Sequence, residues 1–176
     1  HGHDWPYLYP YSLSFHTETI IAVCTDNILK QARPNWPKDY KDLLVGNIVG
    51  FDGWGGIEFR AMVKKGDIKY VEKSSPDSLI RMLSLARLDC IMMEERAFDY
   101  EIKRLKKLGK YDNKLHYTLK KGATIGTDPV YIGYSLPAIK SGRYPYAAAF
   151  RKEFDIVIYQ MIKSGEVKNI MDAYQD

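Results

Sequence analysis

The residues best suited to contact a ligand form a glycine-rich turn, which consists of Asp52, Gly53, Trp54, Gly55 and Gly56. A short apolar run precedes the turn and apolar residues at helical spacing follow it, which predicts a strand, a turn and a helix in that order. Glycine lets the backbone turn sharply and approach a ligand closely, and the first N–H groups of a helix have no partner inside it. The turn therefore suits an anion such as a carboxylate or a phosphate, which the helix dipole would also stabilise.

The same turn has an equally good conformational explanation, because a tight strand-to-helix connection needs glycine in any case. It lacks the Gly-Lys-Ser/Thr ending of a nucleoside-triphosphate loop and the full spacing of a dinucleotide fingerprint. Trp54 fits the apolar wall of a ligand site and a packing anchor equally well. The sequence leaves these alternatives open.

Glu94 is the second candidate, since it directly follows the predicted strand Cys90 to Met93. In open α/β sheets, ligands bind beyond the carboxyl ends of the strands, where the glycine turn should also lie. Donors in the turn and an acceptor at Glu94 would complement the carboxylate and the ammonium group of an α-amino acid. The more ordinary explanation is that Glu94 and Glu95 are solvated, and they are not expected to form an acid/base pair because adjacent residues on extended backbone point in opposite directions.

Other chemistry is not indicated by the 176 residues. No nucleophile and base arrangement emerges, so we expect no enzyme and no catalytic residues, and neither a cofactor nor a metal site is predicted; His1-Gly-His3 has the look of a tag remnant. The net charge of +4 comes from basic residues interleaved with acidic ones, which argues against a nucleic-acid partner. A basic concentration from Lys103 to Lys121 fits a solvated helix face better than an anion-binding surface.

The elements that would position the two candidates alternate between strand and helix. The predicted strands are Thr19 to Cys24, Asn47 to Phe51, Ile68 to Glu72, Cys90 to Met93 and Val130 to Tyr134. The predicted helices are Ile57 to Lys65, one for which Ser74, Ser75 and Asp77 offer N-caps and Pro76 suits the first turn, Ala97 to Leu108, Tyr146 to Ile162 and Glu166 to Tyr174. This alternation predicts a largely parallel sheet with helices on its faces. No apolar run approaches the ~18 residues of a membrane span. Sequence spacing alone does not decide whether Cys24 and Cys90 form a disulfide.

Several of these segments resemble the type 3 periplasmic (extracellular) solute-binding proteins, the amino-acid-binding components of bacterial ABC importers. The run from Asp39 to Gly50 is similar to the family's DLxGKxVGV motif, and the turn that follows stands where the family has Gly-Thr/Ser-Gly. The run SLIRMLSLARLDCIMME resembles the family's next helix and strand, with Arg87 and Asp89 in place, and Val130 to Ser135 resembles the return strand. Each motif is loose, and their order along the chain carries the resemblance.

The resemblance implies a periplasmic-binding-protein-like α/β fold, with one complete lobe and the C-terminal part of a second lobe joined by two hinge segments. Residues 1–24 would end lobe 1 and form the first hinge, residues 25–129 would form lobe 2, and residues 130–176 would form the return hinge and the closing helices of lobe 1. It also implies a non-catalytic receptor in the periplasm that binds an amino acid or a small carboxylate and docks on a membrane permease. In that reading the Gly55 N–H and neighbouring turn groups bind the carboxylate and Glu94 binds the ammonium group.

Trp54 in place of a small hydroxyl residue and Glu94 in place of aspartate depart from the family pattern. They favour an alternative, a ligandless sensory or partner-docking domain of the same fold; a regulatory domain of a cell-wall enzyme is a further alternative. The family's N-terminal third has no counterpart in these residues. Loss of the sheet that this third provides would expose apolar residues of the closing helices, so we expect self-association through that lobe 1 surface.

Overall fold

The structure is a computed structural model that describes residues 7–51 and 53–173. These residues group into two compact units. The α/β unit is Thr19–Thr127, and the helical unit combines the residues up to Glu18 with those from Asp128 onward.

The α/β unit is built on a five-stranded mixed sheet. Its strands are β2 (His16–Thr25), β3 (Leu44–Ile48), β4 (Lys69–Lys73), β5 (Cys90–Glu94) and β6 (Leu119–Val130), in the spatial order β4-β3-β5-β2-β6. β3 is parallel to both β4 and β5, whereas β2 is antiparallel to β5. The α/β class expected from the sequence is confirmed, with an antiparallel strand inside the predicted parallel set.

Each of the three parallel strands is followed by a helix. These helices are α1 (Gly56–Lys65), α2 (Pro76–Ser84) and α3 (Glu95–Lys107), and two short 3-10 turns, Ile28–Lys30 and Lys38–Tyr40, lie between β2 and β3. The predicted start of α2 is confirmed, because the Ser75 hydroxyl accepts a hydrogen bond from the Ser78 N–H at 3.3 Å and Pro76 occupies the first turn. α1 ends at Gly66, whose φ of 81° is the left-handed conformation that glycine adopts readily.

The sheet buries apolar residues on both faces. On one face Ile21, Val23, Ile91 and Met93 pack with residues of α2 and α3, and on the other Ala22, Cys24, Cys90 and Met92 pack with Tyr40 and Phe59. This strict alternation explains why β2 and β5 read as continuous apolar runs, as strands covered on both faces do.

A disulfide joins Cys24 to Cys90, which answers the question that the sequence left open. The two residues are register partners on the antiparallel strands β2 and β5, and both are fully buried. The cross-link therefore ties the centre of the sheet directly.

The helical unit contains two short strands and three helices. β1 (Leu8–Tyr11) pairs antiparallel with β7 (Gly133–Ser135), and α4 (Leu136–Lys140), α5 (Ala147–Ser164) and α6 (Glu166–Ala173) follow. Of the described residues in this unit, only Ser12 and Ile158 are buried, while Phe150 and Val157 of α5 are 53% and 50% exposed. α5 thus leaves apolar side chains on the surface.

Two strand predictions need correction. The strand predicted at Asn47 to Phe51 lies three residues earlier, since Val45 is fully buried while Phe51 is exposed. The sequence predicts no strand between Leu108 and Val130, yet Leu119–Val130 form β6. The predicted strand Val130 to Tyr134 is reduced to the short β7. β6 is an edge strand with lysines and only one buried residue, Ala123, so it carries little apolar signal.

No helix in the described part of the chain is long and apolar enough to cross a membrane.

Candidate functional site

The candidate site lies at the carboxyl edge, the edge of the sheet at which β3, β4 and β5 end. These three strands are mutually parallel, and each is followed by a helix, α1, α2 or α3. Three helix N-termini therefore lie along one edge. The register of β3 and β5, with Val45 opposite Cys90 and Gly46 opposite Ile91, puts Glu94 level with Val49. The glycine turn and Glu94 consequently follow the ends of neighbouring strands.

The glycine turn is folded tightly on itself. The Trp54 N–H donates to the Phe51 carbonyl at 3.1 Å, and the Gly56 N–H donates to the Gly53 carbonyl at 3.2 Å. Within the part of the chain that the structure describes, the N–H groups of Gly53 and Gly55 make no hydrogen bond. Two of the predicted donors are thus consumed inside the turn, and the N–H groups of exposed Gly53 and buried Gly55 have no partner among the described residues.

Packing explains the glycine at position 55, and backbone conformation explains the one at position 56. A Cβ on Gly55 would lie 2.2 Å from Cδ1 of Phe59, so no side chain fits there unless the ring moves. Gly56 has a φ of 80°, in the left-handed region. A Cβ on Gly53 would meet nothing within 4 Å. The turn therefore needs glycine at 55 and 56 for structural reasons, whatever else it does.

Neighbouring side chains anchor the turn. The Trp36 indole N–H donates to the Gly55 carbonyl at 3.0 Å, and the Asn47 amide donates to the Phe51 carbonyl at 2.8 Å. Asn47 is fully buried, and its Oδ1 has no partner among the described residues. A buried asparagine in an apolar strand is a signal that sequence reasoning overlooked, because buried amides are kept for their hydrogen bonds.

Trp54 has a packing role. Its ring is partly buried against the core cluster that contains Phe59, and its centroid lies 4.5 Å from that of Phe51. Phe51 itself is 44% exposed. The pair forms an apolar wall beside the turn, with Trp54 as the inner ring.

Glu94 is the N-cap of α3. One carboxylate oxygen accepts a hydrogen bond from the Ala97 N–H at 2.6 Å, and the residue is half-buried. The other oxygen accepts no hydrogen bond within the described residues. A carboxylate at this position stabilises the positive end of the helix dipole. It can also accept a second hydrogen bond through the oxygen that is left over.

The adjacent Glu95 belongs to a separate ionic cluster. Lys121 contacts the Glu95 carboxylate at 3.0 Å and the Asp99 carboxylate at 2.7 Å. Desolvation opposes the charge on Lys121, but its hydrogen bonds to Asp99 and Glu95 outweigh that effect and raise its pKa. The Glu95 carboxylate is therefore paired with Lys121 and does not share a ligand site with Glu94.

Of the predicted site residues, Asp52 lies outside the described residues. Gly53, Trp54, Gly55 and Gly56 lie together in the turn, and Glu94 ends the neighbouring strand. Among residues 7–51 and 53–173 there is no group of three or more His, Cys, Asp or Glu side chains that could hold a metal ion. His116 stacks on Tyr111, with ring centroids 5.6 Å apart, and has a packing role.

No protein-family model matches the sequence, and no curated protein is significantly similar to it. The fold does match solved structures. An ancestral arginine-binding protein bound to arginine matches with a TM-score of 0.70 and 12% identity over 100% of this chain and 68% of that one. The GluR0 ligand-binding core in complex with L-glutamate matches with a TM-score of 0.64 and 11% identity over 94% and 63%.

An arginine-bound substrate-binding protein of an amino-acid ABC transporter from Streptococcus pneumoniae matches with a TM-score of 0.65 and 14% identity, over 98% of this chain and 63% of that one. The chain thus spans about two-thirds of the length of these structures. At such low identities the similarity establishes a periplasmic-binding-protein-like α/β fold.

Proposed function

We propose that the carboxyl edge of the α/β unit binds the α-carboxylate and α-ammonium groups of an amino acid or a related small carboxylate, without catalysis. The observation that carries the proposal is the position of the glycine turn and Glu94 after neighbouring parallel strands. The N–H groups of Gly53 and Gly55 would donate to the carboxylate, with support from the dipole of α1. The second oxygen of Glu94 would accept from the ammonium group.

The fold supports this proposal at a coarse level. The matched structures include proteins described as bound to arginine and to L-glutamate. We infer a receptor of an importer that docks on a membrane permease in the periplasm. The Cys24–Cys90 disulfide supports an oxidising compartment of this kind.

Two observations favour a second candidate, a ligandless sensory or docking domain. Glu94 caps α3, and Trp54 packs into the core, so both residues have structural roles that need no ligand. In such a domain the carboxyl edge would be retained for folding alone.

Isothermal titration calorimetry against the proteinogenic amino acids and small dicarboxylates tests the first candidate. Saturable heat with at least one compound is expected. Absence of heat with every compound would favour the ligandless domain.

Glu94→Gln separates ligand binding from helix capping. Glutamine keeps an oxygen that can accept from the Ala97 N–H, so we expect the free energy of unfolding to fall by less than about 1 kcal/mol. It loses the charge that pairs with an ammonium group, so we expect affinity to fall about tenfold or more. The matched control is Glu95→Gln. It removes the same charge at the next residue, whose carboxylate pairs with Lys121. Equal affinity losses in the two variants would contradict the role of Glu94.

The exposed apolar side chains of α5 support a second copy of the chain as a partner. Phe150, Val157 and Tyr159 are each 50% exposed or more. Helices that carry apolar residues on most sides are normally covered. We infer self-association through this surface.

A further inference from the structure

A basic groove lies along α2, from its N-terminus at the carboxyl edge to the residues beyond its C-terminal end. It consists of two adjoining depressions of about 220 and 330 Å³ that share Arg81 and Leu85. Lys110 and His116 line the first depression and Arg87 lines the second. The loop that carries His116 is held against the end of α2, since the Tyr117 N–H donates to the Ser84 carbonyl at 2.9 Å.

The groove concentrates positive charge from distant parts of the sequence. Within the described residues, Arg81, Arg87 and Lys110 form no ion pair. Among the described residues of this unit, four other basic side chains are paired: Lys38 with Glu58, Lys41 with Asp67, Arg104 with Asp77 and Glu101, and Lys121 with Glu95 and Asp99. Lys64 and Lys65 form no such pair in the described part of the chain, so the groove is distinguished by the gathering of its cations in one depression. The one carboxylate that lines the groove, Asp77, is neutralised by Arg104 at 2.9 Å.

Helix dipoles explain only part of this charge. Arg81 lies in the last turn of α2, where a cation is favourable. Arg87 and Lys110 lie beyond the helix ends and gain little from the dipoles, which act within the terminal turn. Gathering like charges in a depression is unfavourable unless a partner of opposite charge compensates it.

The surface between the charges is apolar. Leu85 is 45% exposed and common to both depressions, and Met82 lines one of them. From Ser75 to Leu85 the groove follows α2 for about 15 Å, the span of about five extended residues. A concave, partly apolar groove of this length fits a peptide segment better than a flat membrane or a duplex.

We propose that the basic groove docks an acidic segment of a partner protein, in which carboxylates flank an apolar side chain. The carboxylates contact Arg81, Arg87 and Lys110, and the apolar side chain packs on Leu85. This docking does not depend on ligand binding at the carboxyl edge.

The test uses a fluorescent peptide of repeated Glu-Glu-Leu units, about twelve residues long. Its anisotropy is measured with the disulfide-bonded chain, beside a Gln-Gln-Leu peptide of equal length. We expect saturable binding of the acidic peptide alone, weakened strongly when the ionic strength rises from about 50 to about 300 mM. Arg81→Gln with Arg87→Gln should weaken binding about tenfold, since two contacts to charged groups are lost.

The matched control is Lys64→Gln with Lys65→Gln, which removes two exposed charges at the end of α1. It should change affinity less than about twofold. Far-ultraviolet circular dichroism checks that each variant is folded. Equal losses in the two variants, or no saturable binding of the acidic peptide, would overturn the proposal. So would arginine-dependent binding to phosphatidylserine vesicles or duplex DNA that exceeds binding to the peptide.

Discussion

Removal of the Cys24–Cys90 disulfide gives the most quantitative prediction for the α/β unit. The cross-link closes a loop with a sequence separation of 66 between two fully buried register partners. The chain-entropy relation for a loop of this length gives about 4 kcal/mol of stabilisation, through the restriction of the unfolded chain. A typical domain has about 5–15 kcal/mol in total, so this is a large share. Cys24→Ala with Cys90→Ala should therefore lower the midpoint of thermal unfolding by about 8–16 °C.

Urea unfolding followed by tryptophan fluorescence measures this loss. Trp36 and Trp54 both pack against the cluster that contains the two cysteines, so their emission reports on the α/β unit. Wild-type protein reduced with excess thiol is the control, because it lacks the cross-link but keeps both sulfur atoms. We expect the reduced protein and the double variant to lose similar free energy. A loss below about 1 kcal/mol in both would refute the chain-entropy argument, and a loss confined to the double variant would assign the effect to core packing instead.

Three further outcomes are expected. Gly55→Ala should cost about 1–3 kcal/mol because its Cβ would lie 2.2 Å from the Phe59 ring, whereas Gly53→Ala should be nearly neutral; equal urea midpoints for the two variants would contradict this. Burial raises the pKa of Tyr40 above 10.0, so the stability it contributes is complete below pH 10 and falls as the pH rises through the raised value; Tyr40→Phe should flatten that fall in alkaline unfolding curves, and an unchanged slope would contradict it. Light scattering should show concentration-dependent association of the chain, and a clean monomer at high concentration would refute the partner proposed for α5.

Local signals account for the elements that were predicted well. β5 is apolar on both faces, and the Ser75–Pro76 pair marks the start of α2 through capping chemistry. β6 was missed because an edge strand buries too little to produce a pattern. Propensity describes a segment, whereas the position of a strand within a sheet is a property of the whole fold.

In the candidate site, too, local sequence signals predicted some features, and others depended on the tertiary structure. Alternating strands and helices were enough to expect the glycine turn and Glu94 at one edge of the sheet. The capping role of Glu94 was missed, because α3 was predicted to begin at Ala97 and begins at Glu95. The basic groove was also missed, since Arg81 and His116 come together only in the tertiary structure.

The central claim, that the carboxyl edge binds the ligand, is tested most directly by NMR. Backbone amide shifts of the labelled chain are recorded while the amino acid with the largest calorimetric heat is added. We predict that the largest saturable shifts fall on Gly53, Gly55 and the first turns of α1 and α3. Saturable shifts centred elsewhere in the α/β unit, with those amides unmoved, would contradict the account.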